Sequence, residues 1–364
     1  MLTRPQFLFA ALWTVLLGCC LPMISSAQKT KQCADSIRIA YHIPELAYAV
    51  VDANSIIELS VLGEKIKGAG IPADINDHFR IGSNTKAITG MIAQQLVQEN
   101  KISWHSKFFD LFPELKAQSR PEYAHYTLLD LLSFRTRLYP YTYTDHSPKQ
   151  EHIKGNAAQQ RYAFTQWFLA QKPVKKADSI HFSNVGYTAA GLMLEKVSGK
   201  SYQELVQALG NPIQCSFAFG NPNSINPNEP WGHDAHLHPE APGKQYKLDW
   251  LLAAGNINVS LPDYCRFIQV QLKGLAGQST WGTQQSFEWL HYGCKTFAIG
   301  WFWDTDKQYG RYSYNVGNPG AFLSKVLVYG DQGKAFIVFA NVQSDAAEEG
   351  MDLLIASLKH KYLN

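Results

Sequence analysis

A serine and a lysine three residues apart are the side chains of this sequence with the clearest potential for chemistry. Ser83 and Lys86 lie in the segment FRIGSNTKAITG, residues 79–90. If a helix starts at Ser83, this spacing places the hydroxyl and the amine on one helix face, within reach of each other. A serine hydroxyl is a weak nucleophile at neutral pH, and a lysine can activate it only when burial or nearby cations lower the amine pKa. The neighbouring residues that favour a dry site are Ile81, Ala87, Ile88 and Met91.

The same spacing has a simpler interpretation. Serine is a frequent N-cap residue and lysine is usually solvated, so Ser83 could merely begin a helix while Lys86 points into water. Spacing alone does not decide between the two interpretations. The segments that would position the pair have to be considered as well.

Strands are expected at both ends of the chain and helices in its middle. Four segments have the apolar pattern of strands and predict two hairpins: 48–52 with 56–62, and 321–329 with 334–341. Residues 348–362 have the periodicity of an amphipathic closing helix. These patterns predict one antiparallel sheet built from the two ends of the chain, with a helix-rich inserted subdomain at about residues 98–250.

From Ile43 onward the chain resembles the serine β-lactamase-related family, which includes class C β-lactamases, penicillin-binding D-Ala-D-Ala peptidases and related esterases. The segments that carry the resemblance follow the family's order: IPELAYAVV at 43–51, the nucleophile segment at 79–90, QQLVQENKI at 94–102, LLDLLS at 128–133 and FSNVGY at 182–187. The resemblance implies an α+β fold of the β-lactamase/penicillin-binding-protein type, with an antiparallel sheet flanked by helices. It also implies an acyl-enzyme on Ser83, with Lys86 as the base.

The second motif of that family is altered in this chain. The family has Tyr-x-Asn, in which the tyrosine exchanges protons with the nucleophile and leaving group and the asparagine binds the acyl amide of the substrate. The matching residues here are Phe182 and Asn184. A benzyl ring cannot exchange a proton, so this work would fall to Lys86, a water or a neighbour. The neighbours are Ser183, expected to point away on an extended segment, and Tyr187, expected to pack in the following helix.

The third family motif, a Lys or His followed by a small residue and a glycine, is matched by Asn315-Val316-Gly317. Asn315 replaces the basic residue and Val316 the usual hydroxyl residue, so the groups that would hold a substrate carboxylate are missing. We expect Asn315 to line the cleft and Gly317 to allow close approach to the nucleophile. By resemblance, the backbone amides of Ser83 and Asn318 would form an oxyanion hole.

Two arginines stand where the family usually has His-Thr-Ser-Gly-Leu. Arg135 and Arg137, in the segment FRTRL, could supply the cation that position 315 lacks, or they could be solvated loop charges. The adjoining aromatic segment 139–143 could line the mouth of a pocket or pack within its own loop. Neither question is decided by the sequence.

A histidine-rich segment invites a metal interpretation. The sequence HDAHLH at 233–238 has imidazoles dense enough to bind zinc, but it lies in a polar loop without a second cluster of ligands nearby. The cysteines at 33, 215, 265 and 294 lack the paired short spacing of a zinc site, and their disulfide pairing cannot be chosen from the sequence. We therefore expect no metal and no cofactor.

The first 27 residues predict a signal peptide. Arg4 supplies the positive start, residues 7–18 an apolar stretch and residues 25–27 a small-residue cleavage site, so the mature domain would span 28–364. This predicts a periplasmic or secreted protein. Alternatively, LLGC at 16–19 loosely matches a lipobox, which would place a lipid anchor on Cys19. No other apolar run approaches the length of a membrane span.

The composition fits one large domain without a nucleic-acid partner, since 46% of the residues are hydrophobic and the net charge is only +3. We therefore predict an exported serine hydrolase that forms an acyl-enzyme with a small-molecule or peptide-like ester or amide, and that is a poor β-lactamase. Ser83 would be the nucleophile, Lys86 the base and Asn184 the group that orients the substrate. The alternative is a catalytically weakened binding or sensor protein, which would explain Phe182 directly.

Overall fold

The computed structural model describes residues 26–175, 180–243 and 246–364. Most of the predicted signal peptide, and Cys19 with it, lies outside these residues. No helix in the described ranges is both long and apolar enough to cross a membrane. The four cysteines of the described chain are unpaired.

Nine strands form two antiparallel sheets in the described chain. The strands are β1 (Glu45–Asp52), β2 (Ile56–Gly63), β3 (His78–Arg80), β4 (Ala218–Phe219), β5 (Ile257–Ser260), β6 (Phe302–Asp306), β7 (Gly310–Gly317), β8 (Leu323–Tyr329) and β9 (Lys334–Ala340). The large sheet has the order β2-β1-β9-β8-β7-β6, and the small sheet has the order β3-β5-β4. Both predicted hairpins are confirmed as β1–β2 and β8–β9. The antiparallel pairing of β1 with β9 joins the two ends of the chain, as the sequence predicted.

Fourteen α-helices lie in the described ranges. They are α1 (Ser26–Ala40), α2 (Thr85–Gln98), α3 (Phe108–Leu111), α4 (Pro113–Lys116), α5 (Leu128–Leu132), α6 (Ala157–Leu169), α7 (Asn184–Ser198), α8 (Tyr202–Gly210), α9 (Pro222–Ile225), α10 (Tyr246–Trp250), α11 (Leu252–Gly255), α12 (Leu261–Leu275), α13 (Gln284–Tyr292) and α14 (Asp345–Leu363). The predicted closing helix is confirmed as α14. Between residues 98 and 250 the described chain has helices and turns, with β4 as its one strand.

The large sheet is covered on both faces, which explains why β1 is apolar throughout. Successive side chains of a strand point to opposite faces. Ala47 and Ala49 belong to a core shared with the helices of the middle segment. Leu46 and Tyr48 face the other way and pack with residues of α1 and α14, such as Met351. The sheet is therefore a central layer, and α2 lies on the face opposite α1 and α14.

Candidate active site

Ser83 lies in a short 3-10 turn between β3 and α2. The turn spans Gly82–Asn84, and the α-helix itself begins at Thr85, two residues later than the sequence indicated. The φ angle of Gly82 is +48°, in the left-handed region that glycine adopts at little cost. The turn places Ser83 two residues before the first residue of α2.

The amine of Lys86 contacts the hydroxyl of Ser83. Lys86 Nζ lies 2.8 Å from Ser83 Oγ and donates a hydrogen bond to the carbonyl oxygen of Ala254, also at 2.8 Å. The Lys86 side chain is only 1% exposed. Burial lowers its pKa to about 7, because the ammonium loses its hydration. The simpler interpretation, a solvated lysine after an N-cap serine, is therefore wrong.

Two aromatic rings enclose the Lys86 amine. The ring centroids of Phe182 and Tyr187 lie 5.1 Å and 5.4 Å from Nζ. Phe182 is 39% exposed and covers the amine from the cleft side, whereas Tyr187 is buried in α7. The Tyr187 hydroxyl donates to the carbonyl of Leu132 at 2.6 Å, and burial holds its pKa well above the usual value. It is directed to the backbone rather than to Ser83.

Ser183 is occupied as the N-cap of α7. Its hydroxyl donates to the Tyr139 carbonyl at 2.8 Å and accepts the N–H of Gly186 at 3.1 Å. Asn184, the first residue of α7, donates from Nδ2 to the Tyr141 carbonyl at 2.7 Å. Its buried Oδ1 has no hydrogen-bond partner within the described chain. Asn184 is therefore held in one orientation with an acceptor still to be satisfied.

Asn315 does not line the cleft, contrary to our expectation. Its side chain is 1% exposed, and Nδ2 donates to the carbonyls of Gly300 at 2.6 Å and Ser83 at 3.2 Å. Because side chains alternate along β7, the next residue, Val316, is 36% exposed and lines the cleft instead. Asn315 thus stabilises the turn that carries Ser83 through a hydrogen bond to its backbone.

The end of β7 presses against the same turn at Gly317. A Cβ atom at this position would overlap the carbonyl oxygen of Ile81 and the hydroxyl of Ser324. The next residue, Asn318, is also close to the turn. Its amide nitrogen lies 2.9 Å from the position that a Cβ atom on Gly82 would occupy. Glycine at both positions lets the end of β7 approach the turn that carries Ser83, as the sequence indicated for Gly317.

A cleft of about 390 Å³ opens beside Ser83. Its apolar lining residues include Phe182, Leu248, Leu251, Val316 and Pro319, and its polar ones include Thr142, Tyr143, Thr144, Asn184 and Asn318. No charged side chain is found among the residues of the described ranges that line it. The cleft can therefore surround an uncharged group close to a serine hydroxyl and a neutral amine.

Comparisons with known proteins identify the family of this chain. The profile of the Beta-lactamase family matches residues 27–359. The chain belongs to the Beta-lactamase family. Solved structures with a similar fold include a penicillin-binding protein homologue, a class C β-lactamase and a β-lactamase/D-alanine carboxypeptidase, so the predicted family and fold class are confirmed.

Among curated relatives, Protein flp from Staphylococcus aureus is 21% identical over 312 residues. The match covers 84% of this chain but 61% of that protein, so the chain spans less than two thirds of this relative's length. The probable fimbrial assembly protein FimD, serogroup H1, from Dichelobacter nodosus is 29% identical over 144 residues, which are 37% of this chain and 33% of FimD.

Two solved structures of similar size have the same fold. A class C β-lactamase from Rhodobacter sphaeroides superposes with a TM-score of 0.71 at 16% identity, covering 92% of this chain and 99% of the other. A β-lactamase/D-alanine carboxypeptidase from Pseudomonas syringae gives a TM-score of 0.72 at 14% identity with the same coverage. At these identities the likeness concerns the fold alone.

The two arginines at the family's usual His-Thr-Ser-Gly-Leu segment are partly exposed and donate hydrogen bonds to backbone carbonyls outside the cleft. Arg135 donates to the carbonyls of Phe297 and Lys295, both at 2.8 Å, and Arg137 donates to the Val174 carbonyl at 2.9 Å. Both guanidinium groups therefore tie loops together. Neither is among the residues that line the cleft.

The aromatic segment 139–143 serves both roles considered for it. Tyr139 and Tyr141 pack against Phe168, with ring centroids 5.4 Å away in each case. Tyr143 lines the cleft. Sequence reasoning missed the apolar wall formed by Leu248 and Leu251, because two leucines beside a short helix give no signal that separates a cleft wall from an ordinary core.

His233 has a structural role in the loop that invited a metal interpretation. It is fully buried, with Nδ1 2.8 Å from the carbonyl oxygen of Asn341, and Nε2 accepts the backbone N–H of Lys67 at 3.1 Å. Burial lowers its pKa, which favours the neutral ring. Both nitrogens are thus already engaged. Within the part of the chain that the structure describes, no group of three or more His, Cys, Asp or Glu side chains could hold a metal ion.

Proposed function

We propose that this chain is an exported serine hydrolase that forms an acyl-enzyme on Ser83, with Lys86 as the general base. The observation that carries the proposal is the 2.8 Å contact between the Ser83 hydroxyl and a buried amine whose pKa lies near 7. Near neutral pH a large fraction of such an amine has a free lone pair, which can accept the hydroxyl proton. A solvated lysine, with a pKa near 10.4, could not do so.

The reaction would proceed in two balanced steps. Ser83 Oγ attacks the substrate carbonyl carbon while its proton passes to Lys86, and the bond to the leaving group then breaks to give the acyl-enzyme. The leaving group takes up a proton from solvent. Water next attacks the same carbon and loses a proton to solvent, and the C–Oγ bond breaks. Lys86 returns a proton to Oγ, so the free serine is restored and the acyl group leaves as a carboxylic acid.

Backbone and amide groups would stabilise the oxyanion and position the substrate. The backbone of Asn318 lies against Gly82, the residue before Ser83, so the N–H groups of Ser83 and Asn318 would form the oxyanion hole. Two such donors aimed at one oxygen are the usual way to stabilise a tetrahedral intermediate. Asn184, which is among the residues that line the cleft, would orient the substrate.

The substrate would be an ester or amide without an essential carboxylate. The described cleft lining has no cation, and Arg135 and Arg137 donate to backbone carbonyls elsewhere. Burying a carboxylate against Val316 without a paired charge would be costly. Penicillins and D-Ala termini both carry a carboxylate, so we propose that this chain hydrolyses β-lactams poorly. Export is proposed from the pattern of residues 1–27 alone.

The proposal is tested by trapping the acyl-enzyme from p-nitrophenyl butyrate. We expect wild type to release nitrophenol and to show a butyryl adduct by intact mass after acid quench. Ser83→Ala should lose both signals, and Ser55→Ala, which changes an exposed serine, should keep both. Absence of turnover and adduct in wild type, on a broad panel of esters and amides, would contradict the hydrolase and favour the binding protein that Phe182 suggests.

A further inference from the structure

We infer that the cleft hydrolyses esters with good leaving groups and leaves amides intact, because none of the described side chains around it presents an acid to the leaving atom. This inference depends on the proposed role of Ser83 as nucleophile. It goes beyond that role by choosing between the two substrate classes.

The two substrate classes differ in what the leaving atom needs. An amide nitrogen must gain a proton before or while its bond to carbon breaks, since an R–NH⁻ ion is far too basic to leave. A phenolate, or the alkoxide of an acidic alcohol, can leave without a proton. An amide hydrolase therefore needs a general acid on the leaving side of the tetrahedral intermediate, whereas hydrolysis of an activated ester does not.

Lys86 reaches the reacting centre only at Ser83 Oγ. Its ammonium form has three N–H groups, of which one is directed to Oγ and one to the Ala254 carbonyl, both at 2.8 Å. The rings of Phe182 and Tyr187 cover the rest of the amine, and the side chain is almost completely buried. Lys86 can therefore take a proton from Oγ and return it there, but it presents no N–H to an atom on the cleft side.

The position beside the amine on the cleft side is occupied by a hydrocarbon. Phe182 is exposed there and carries no proton to give. The hydroxyls of Ser183 and Tyr187 donate to the carbonyls of Tyr139 and Leu132. None of these three side chains can protonate a leaving group that departs past Phe182.

Tyr143 is the one phenol among the described residues that line the cleft. Its hydroxyl interacts with the side chain of Asn318, and burial is the largest cause of its raised pKa. It therefore lies beside Asn318, whose backbone amide is the proposed oxyanion donor. A phenol with a raised pKa is also a poor acid near neutrality.

The ester reaction balances without a further acid. The Ser83 proton passes to Lys86, the C–O bond breaks, and the leaving group departs as the anion RO⁻, which takes a proton from solvent. In deacylation the attacking water loses a proton to solvent and Lys86 returns the Ser83 proton to Oγ, so the net reaction is ester plus water to carboxylic acid plus alcohol. The corresponding amide intermediate would instead expel Ser83 Oγ and return to substrate.

The test is the dependence of kcat/KM on the leaving group, which reports the steps up to acylation. A series of aryl butyrates with phenols of rising pKa is compared with p-nitrobutyranilide, which has the same acyl group. We expect kcat/KM to fall steeply as the phenol pKa rises, and cleavage of the anilide to be at least about a thousandfold slower than that of the nitrophenyl ester. A shallow dependence, or an anilide rate within tenfold of the ester rate, would overturn the inference.

Two variants separate the possible acids. Phe182→Tyr should flatten the dependence by raising the rates of the poorest leaving groups, up to about a hundredfold. Tyr143→Phe should leave the slope unchanged, and a steeper slope in this variant would identify Tyr143 as an acid and overturn the inference. If even the nitrophenyl ester gave no turnover and no Ser83 adduct, the proposed function itself would fail, which is a different outcome from a shallow slope.

Discussion

The ring of Phe182 lies over the amine of Lys86, with its centroid 5.1 Å from Nζ. Two effects of this ring on the amine pKa oppose each other. The face of the ring attracts an ammonium and raises the pKa, whereas exclusion of water destabilises the ammonium and lowers it. The pKa of Lys86 is lowered to about 7, so desolvation is the larger effect. Phe182 thus helps to exclude water from Lys86, and this exclusion keeps the pKa of the amine low enough for it to act as a base.

Removing this ring should shift the pH dependence of Ser83 reactivity. Phe182→Ala admits water to Lys86 and raises its pKa from about 7 toward the ordinary value near 10.4. Since only the neutral amine accepts the proton, reactivity at neutral pH should fall and should recover at alkaline pH. The measurement is the rate of Ser83 modification by a fluorophosphonate as a function of pH. Phe182→Leu, which keeps an apolar cover, should retain a midpoint closer to 7, and an unshifted midpoint in Phe182→Ala would contradict this role.

Replacing the base should remove most of the activity without unfolding the protein. Lys86→Arg keeps a positive charge but cannot deprotonate near neutrality, so kcat/KM for an activated ester should fall by roughly two to four orders of magnitude. Lys325→Arg is the matched control, because Lys325 is also nearly buried but pairs with Asp352. Near-normal turnover of Lys86→Arg would place the base elsewhere.

A single methyl group at Gly317 should disturb the nucleophile turn. The added Cβ would overlap the carbonyl oxygen of Ile81 and the Ser324 hydroxyl, so the strand and turn must move apart. We expect Gly317→Ala to cost about 1–3 kcal/mol in the free energy of unfolding and to lower ester turnover. Chemical denaturation and kcat/KM measure the two effects. Gly243→Ala, where a Cβ meets nothing within 4 Å, should do neither, and equal behaviour of the two variants would contradict the close packing.

Penicillins should acylate the wild-type protein slowly or not at all. The described cleft lining has no cation, and the exposed edge of β7 presents Val316. Val316→Lys introduces a charge that can pair with the penicillin carboxylate and should raise the second-order acylation rate, measured by intact mass over time. Val316→Met is the uncharged control of comparable length. Rapid acylation of wild type would reverse the inference about carboxylates.

The fold could be predicted from the sequence where neighbouring residues determine the structure. The hairpins β1–β2 and β8–β9 have strong strand patterns separated by short turns, and α14 has a clear helical period. The contact between Ser83 and Lys86 is equally local, since two residues three positions apart in a helical segment lie on the same face. These are interactions between residues close in sequence, which a pattern can encode.

The parts that were not predicted depend on contacts between distant segments. Asn315 faces Ser83 and Gly300 because of the position of β7 in the sheet, and alternation then turns Val316 to the cleft. Arg135 is directed away from the cleft by carbonyls about 160 residues further along, at Lys295 and Phe297. No local pattern specifies these partners. The role of the two arginines therefore could not be decided from the sequence, and Asn315 was wrongly expected to line the cleft.

The most direct test of the account is where a fluorophosphonate reacts. We predict a single adduct by intact mass, mapped by peptide analysis to Ser83, with a labelling rate that rises as Lys86 loses its proton near pH 7. Ser83→Ala should show no adduct while retaining the wild-type unfolding transition. An adduct that persists at full stoichiometry in Ser83→Ala, or a folded wild-type protein that is never labelled, would contradict the central claim that Ser83 is a nucleophile activated by Lys86.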